Sequence, residues 1–383
     1  MSSLSVFDNL IDQEHVISVL REAVSASADI SNQSQEMTHA WLFTGPPGSG
    51  RSNAALAFAA ALVCKSTGCN DCIDCKTALA GTHADVELVK TEGLSIKIDE
   101  VRDLITRASW SPAVGNYRVV VIEDADRLTE SAANALLKAI EEPGLRTVWL
   151  LCAPSATDVL PTIRSRTRSL VLRTPSVAAV AALLEEEKFS SAMANFAARA
   201  SQGHIGRARH LAKSEEARTR RQAILKISLL ITDVASAFKA AQVLVEAAKA
   251  EAEEEAEKRD DAELASLKEA WGQQGSKLTQ GGAKVVKDLE KEQKSRTTRM
   301  VRDYLDRALL DIATLYRDIL LIQANSLDSI INTDLISEIT KISNSTTPEA
   351  TLAKLEAIMS ARTNLSHNAA PLLTIEALMV SLK

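Results

Sequence analysis

Gly45-Pro46-Pro47-Gly48-Ser49-Gly50-Arg51-Ser52 follows the apolar run Ala40-Trp41-Leu42-Phe43 and leads into an alanine-rich stretch. An apolar strand, a glycine-rich turn and a helix start form the layout of a loop whose backbone N–H groups cradle phosphate. In a working loop of this kind a lysine neutralises charge on the phosphates and a Ser/Thr hydroxyl binds Mg²⁺. Gly45, Gly48, Gly50 and Ser52 keep the nest and the metal hydroxyl, whereas Arg51 stands in the lysine position. Arginine keeps the charge but is longer and planar, and it serves poorly as a point charge between phosphates.

The other half of such a site is an acidic pair at the end of an apolar strand. Here Val119-Val120-Val121-Ile122 runs into Glu123-Asp124-Ala125-Asp126. Hydrolysing enzymes of this type present Asp before Glu; the reversed order displaces each carboxylate by one methylene. Both halves therefore depart from the hydrolysing pattern together. Two readings fit: a fold kept for its shape, and a degenerate site that binds ATP and Mg²⁺ without useful turnover.

Outward from the loop, apolar strands are expected at 40–44, 85–89, 118–122, 148–152 and 169–172, with helices such as 99–109 and 130–141 between them. Alternating β and α elements with near-continuous apolar strands predict an α/β domain over 1–175, its parallel sheet covered on both faces. Short helical patterns over 176–213, around Gly203-His204-Ile205-Gly206, predict a small helical lid. From 214 to 383 the pattern is helical throughout. Within it, 247–297 is heavily charged and is interrupted by Gly272, Gly275, Gly281 and Gly282. Its sparse apolar positions (Leu264, Leu267, Trp271, Val285, Leu289) predict two exposed helices joined by a Gly/Gln/Ser turn. That insertion reads either as a solvated elaboration or as a partner-binding arm.

Cys64, Cys69, Cys72 and Cys75 follow the loop at the spacing C-x4-C-x2-C-x2-C. Four thiolates so close together match a tetrahedral Zn²⁺ site, closed by protein ligands and therefore structural. Cys152, alone in the apolar run 148–152, reads as a small buried hydrophobe. The 383 residues suffice for two or three domains, and 3% aromatic content favours helices over a β-sandwich. A net charge of −6 argues against a stand-alone DNA-coating protein. No run is long and apolar enough to span a bilayer and no secretory start is present, so no membrane partner is expected and the expected location is cytoplasmic, where thiols stay reduced.

In order along the chain, Phe7-Asp8-Asn9-Leu10-Ile11-Asp12-Gln13, His39 to Phe43 with the loop, the cysteines, His83-Ala84-Asp85, Asn134-Ala135-Leu136-Leu137-Lys138-Ala139-Ile140-Glu141-Glu142-Pro143 and Leu160-Pro161-Thr162-Ile163-Arg164-Ser165-Arg166 resemble the clamp-loader subunits of bacterial DNA polymerase III, within the AAA+ class. The resemblance covers about the first 210 residues; the charged insertion has no counterpart in it. It implies a RecA-like sheet domain with a zinc module, a lid, and an all-helical C-terminal collar. It is nearest the delta-prime branch, since the gamma/tau-like motor branch would carry lysine at Arg51, Asp-Glu at Glu123-Asp124, and a nucleotide-contacting arginine where Gly206 stands, one place before Arg207. Ser155 is the position nearest that of the family's γ-phosphate-sensing residue.

Ser165-Arg166-Thr167 resembles the family's Ser-Arg-Cys motif, with Thr167 replacing cysteine. The resemblance implies that Arg166 acts in trans as an arginine finger on ATP held by a neighbour. Implied partners are motor and delta-like clamp-opening subunits, and, within the complex, the sliding clamp and primed DNA. An active ATPase motor subunit is the alternative reading.

Overall fold

The structure is a computed structural model that describes residues 5–28, 37–91, 95–144, 146–270, 280–326 and 330–383. The chain divides into two compact units, Met1–Arg209 and His210–Lys383.

In the first unit α1 (Glu14–Ala28) precedes β1 (Ala40–Thr44), which enters the glycine loop and then α2 (Arg51–Val63). There follow α3 (Ile73–Leu79), β2 (Val86–Val89), α4 (Ile98–Ala108), β3 (Arg118–Ile122), α5 (Glu130–Glu141), β4 (Thr147–Ala153), the short α6 (Pro161–Arg164) and β5 (Arg168–Val171). All strand pairs are parallel, in the order β2-β3-β4-β1-β5. This is the parallel α/β sheet that the sequence predicts. The strands end within a residue or so of their expected limits, β4 being one residue longer at each end.

Alternate residues of each strand feed opposite cores. Trp41, Phe43, Val119, Val121, Val148 and Leu150 pack with α1 and α2 on one face. Ala40, Leu42, Val120, Ile122, Trp149 and Leu151 pack with α4 and α5 on the other. The alanines of α2 favour helix, and their small size lets the helix lie close on the sheet, with every residue from Ala54 to Val63 buried. Trp41 meets Phe58 edge to face at 5.1 Å, and the Arg168 guanidinium lies 4.9 Å from the Trp41 ring centroid. At the start of the chain, Gln13 Nε2 donates to Arg173 O (2.6 Å) and Arg173 N donates to Gln13 Oε1 (3.2 Å), pinning the segment that leaves β5.

Three short helices follow: α7 (Val177–Glu186), α8 (Ser191–Ser201) and α9 (Ile205–Lys213). Ser176 and Ser190 cap the first two, their hydroxyls accepting from Ala179 N and Met193 N.

The second unit consists of α10 (Glu215–Leu229), α11 (Val234–Ala270), α12 (Gln280–Gln323), α13 (Ile336–Ser345), α14 (Pro348–Ser366) and α15 (Pro371–Ser381) around one apolar core. The fully buried Asp318 accepts from the backbone N–H groups of Ile331 (3.1 Å) and Asn332 (2.7 Å). Buried Arg221 donates to Asp311 (2.8 Å), Thr314 (3.2 Å) and Asn332 (2.6 Å). Ionic groups this deep are tolerated because each is hydrogen-bonded.

The charged segment 247–297 lies on the far parts of α11 and α12, which run antiparallel. Ala248, Ala252 and Ala256 bury one stripe of α11, and buried Arg296 pairs with Glu263 and Asp260. Gly281 and Gly282 fall in the first turn of α12. The expected turn, with Trp271, Gly272 and Gly275, lies outside the described residues.

Candidate nucleotide, metal and arginine sites

β1, β3 and β4 deliver three loops to one edge of the sheet. Gly45 N donates to Pro154 O (3.2 Å) and Glu123 N to Val89 O (3.1 Å), so the glycine loop, the acidic segment and the turn after β4 share the carboxyl ends of parallel strands. That edge is where α/β sheets bind ligands. Gly48 (φ 88°) and Gly50 (φ 85°) both take left-handed backbone conformations open to glycine, and Gly50 caps α2.

The groups that would grip phosphate are held by their own chain. Arg51 Nη1 donates to Gly45 O at 2.7 Å. Glu123 lies 3.3 Å from Lys90 Nζ, and Asp124 lies 3.9 Å from Arg127 Nε. Ser52 is half-buried at the start of α2. Ser155 is occupied in its own turn, its hydroxyl accepting from Thr157 N.

His204 stands directly against the loop: a Cβ placed on Gly48 would lie 2.7 Å from His204 Cβ and Cγ. The imidazole also caps α9, Nδ1 accepting from Arg207 N at 3.3 Å, which places the ring proton on Nε2. Gly206, where the resemblance would place a nucleotide-contacting arginine, follows in the first turn of α9.

Asp126 adds a half-buried carboxylate that the sequence pattern did not single out. Burial, and then the neighbouring Asp124 carboxylate, push its pKa above the usual range, and Oδ1 has no partner among the described residues. Cys152 is fully buried, and burial pushes its thiol pKa up, in keeping with an inert core cysteine.

The four clustered thiols come together: Cys64 at the end of α2, Cys69 in the following loop, Cys72 capping α3 and Cys75 inside it. All four sulfurs lie within 4.8 Å of one another, and Cys64 Sγ is 3.7 Å from those of Cys69 and Cys72. A Zn–S length of about 2.3 Å sets the sulfur–sulfur edge of a tetrahedron at about 3.8 Å, so the cluster has the size to hold a metal ion. Backbone N–H groups already point at sulfur, Ser66 N to Cys64 (3.3 Å) and Cys75 N to Cys72 (3.4 Å). Hydrogen bonds from the Asp71 and Cys72 backbone bring the Cys69 thiol down to about 6, while burial pushes Cys72 and Cys75 up.

Next to this module the Asp85 carboxylate is fully buried and accepts from Ala113 N (2.6 Å), Val114 N and Gly115 N (both 2.7 Å). Burial opposes its charge, but the three donors hold its carboxyl below the usual range.

Arg166 lies at the opposite kind of place, in the turn between α6 and β5, the edge strand. Its Nε donates to Glu141, and Nη1 donates to Thr162 O (3.0 Å) and Ser165 Oγ (3.2 Å), with 41% of the side chain exposed. Lys90, Glu141 and His204 are the partners that local sequence patterns did not flag. Only His204 carried a signal, its position between Gly203 and Gly206.

The strand order and the glycine loop define an α/β domain of the P-loop kind. Residues 21–176 match the family described as DNA polymerase III, delta subunit. The chain is 32% identical over 200 residues to DNA polymerase III subunit delta′ of Bacillus subtilis, covering 51% of this chain and 60% of that protein. It is 37% identical over 147 residues to the delta′ subunit of Pseudomonas aeruginosa, covering 37% of this chain and 45% of that protein. A gamma/tau subunit of Mycobacterium bovis is 31% identical over 172 residues, covering 44% of this chain and 28% of that protein. The similarity is thus to delta-prime and gamma/tau subunits of DNA polymerase III, and the chain spans less than two thirds of the length of each of these relatives. Among the described residues no helix is long and apolar enough to cross a membrane.

Proposed function

We propose that the chain serves as a delta-prime-like subunit of a DNA polymerase III clamp loader, assembling through residues 214–383 as a collar and donating Arg166 to ATP bound by an adjacent motor subunit. Its sheet domain (1–175) and lid (176–213) act as a fixed element of that assembly, and the assembly as a whole loads the sliding clamp onto primed DNA. The carrying observation is a contrast in setting. Arg51 turns back onto Gly45 O inside its own loop, whereas the Arg166 guanidinium, held by Glu141, Thr162 and Ser165, is 41% exposed beside the edge strand. A guanidinium supplied in trans stabilises transition-state charge on a transferring phosphoryl group.

The similarity to gamma/tau subunits favours the motor reading. Arg51, the Glu123-Asp124 order and Gly206 count against it, because each removes a group that hydrolysis uses. Cys64, Cys69, Cys72 and Cys75 would hold one structural Zn²⁺, which would tie the end of α2 to α3; metal analysis of the purified protein is expected to give one zinc per chain.

The test of function is reconstitution with motor and clamp-opening subunits. Arg166→Ala is expected to leave assembly intact and to slow ATP hydrolysis with clamp and primed DNA present. Hydrolysis and loading at the unmodified rate would leave the chain a scaffold only.

A further inference from the structure

Glu141 ends α5, and an acidic side chain in the last turn of a helix opposes the negative end of the helix dipole. Neither the metal cluster nor the phosphate loop accounts for its place there. Its carboxylate instead accepts from Arg166 Nε, a residue 25 positions away. With Nη1 on Thr162 O and Ser165 Oγ, the guanidinium is held at two of its three nitrogens. Nη2 has no partner among the described residues. A guanidinium is a rigid planar fork, so fixing Nε and Nη1 fixes the direction in which Nη2 points.

We propose that Glu141 is a positioning residue for Arg166, holding the guanidinium plane so that its Nη2 group is presented to the phosphate oxygens of a nucleotide bound by the neighbouring subunit. This rests on the arginine-finger reading above. An arginine free at every torsion must be ordered when phosphate arrives, whereas one already seated has less freedom to lose. The Glu141 charge works in the other direction by offsetting part of the guanidinium charge. Both side chains are over two-fifths exposed, so solvent screens that opposition. The orienting effect therefore dominates.

The experiment uses the reconstituted complex with unmodified chain, Glu141→Ala, Glu141→Gln, Arg166→Ala and the Glu141→Ala/Arg166→Ala double variant. Glu141→Ala is expected to lower kcat for ATP about two- to fivefold with KM unchanged, the scale of an exposed ion pair. Glu141→Gln keeps an acceptor without the charge and should fall between. On the Arg166→Ala background, Glu141→Ala should change nothing further. A slowed Arg166→Ala complex beside an unaffected Glu141→Ala complex overturns the positioning role alone. Effects that multiply in the double variant do the same. An Arg166→Ala complex that hydrolyses at the full rate removes the finger reading, and this one with it.

Discussion

The loop at Gly45–Ser52 and the edge at Arg166 each present an arginine, and the two are held in opposite ways. Arg51 turns back onto the carbonyl of its own loop, and its Nε is buried without a partner among the described residues. Around it Lys90 engages Glu123 and His204 abuts Gly48. Arg166 is held at Nε and Nη1 and stands two-fifths exposed. The difference teaches that a cation in a motif position is informative only with its partners. One of these is held within its own loop, and the other is held at an exposed edge of the sheet.

The sharpest way to break this contrast is to remove each arginine from the same assembled complex. Arg166→Ala is expected to cost about a thousandfold in ATP hydrolysis, the lower end for an arginine finger, while Arg51→Ala leaves the rate within about twofold, the margin of a surface-pair change. Equal losses from both would erase the distinction. Arg164→Ala and Arg168→Ala flank Arg166 and serve as controls.

The cysteine module extends the inward-satisfied side of the comparison. Chelation at neutral pH, or Cys72→Ser, is expected to lower the stability of the first unit by on the order of 3 kcal/mol, as loss of a metal site does. Urea unfolding with and without zinc reads it. An unchanged midpoint in both, with no zinc found, would mean that the thiols pack without metal.

How much of this was legible in the chain differs between its parts. The sheet was readable because strands buried on both faces are almost continuously apolar, as in Val119–Ile122 and Val148–Cys152. The cysteine cluster was readable because its members are near neighbours in sequence. Glu141–Arg166, Lys90–Glu123 and Gly48–His204 were not, since each joins residues that only the tertiary fold brings together. In the charged segment, the stripe Ala248-Ala252-Ala256 is buried, but alanine contributes so little hydropathy that acidic neighbours mask it. Arg296 looked like one basic residue among many, yet it is buried against Glu263.

A smaller effect is expected at Asp85, another ion satisfied by its own chain. Asp85→Asn turns an acceptor of three backbone N–H bonds into an amide with one acceptor oxygen, at a cost of about 2 kcal/mol. The folded pKa is depressed, so the stabilisation is complete above the unfolded value of about 3.9 and is lost as pH falls through the lower folded value. The gap between the unmodified chain and Asp85→Asn should therefore be full at pH 6 and narrow steadily below about pH 4. A gap that stays constant down to pH 3 would mean that the charge of Asp85 contributes nothing.

The smallest effect tests whether the inward-held loop can be opened. His204 both abuts Gly48 and caps α9, so removing it outright would confuse the two roles. Serine is a preferred cap and lacks the ring; His204→Ser therefore clears the space beside Gly48 while keeping the helix start. Paired with Arg51→Lys, it also returns a compact point charge to the loop. In equilibrium titrations of the isolated chain with a fluorescent ADP analogue and Mg²⁺, the double variant should bind about tenfold more tightly than the unmodified chain, a gain of about 1.4 kcal/mol. Hydrolysis of ATP should stay absent, because the Glu123-Asp124 order and Gly206 are untouched and binding without those groups does not stabilise a transition state. If the unmodified chain already binds with the affinity of the double variant, His204 is only a helix cap and the loop was open all along. If the double variant also turns over ATP, the acidic pair is competent as it stands, and the contrast between the loop and the Arg166 edge rests on Arg51 and His204 alone.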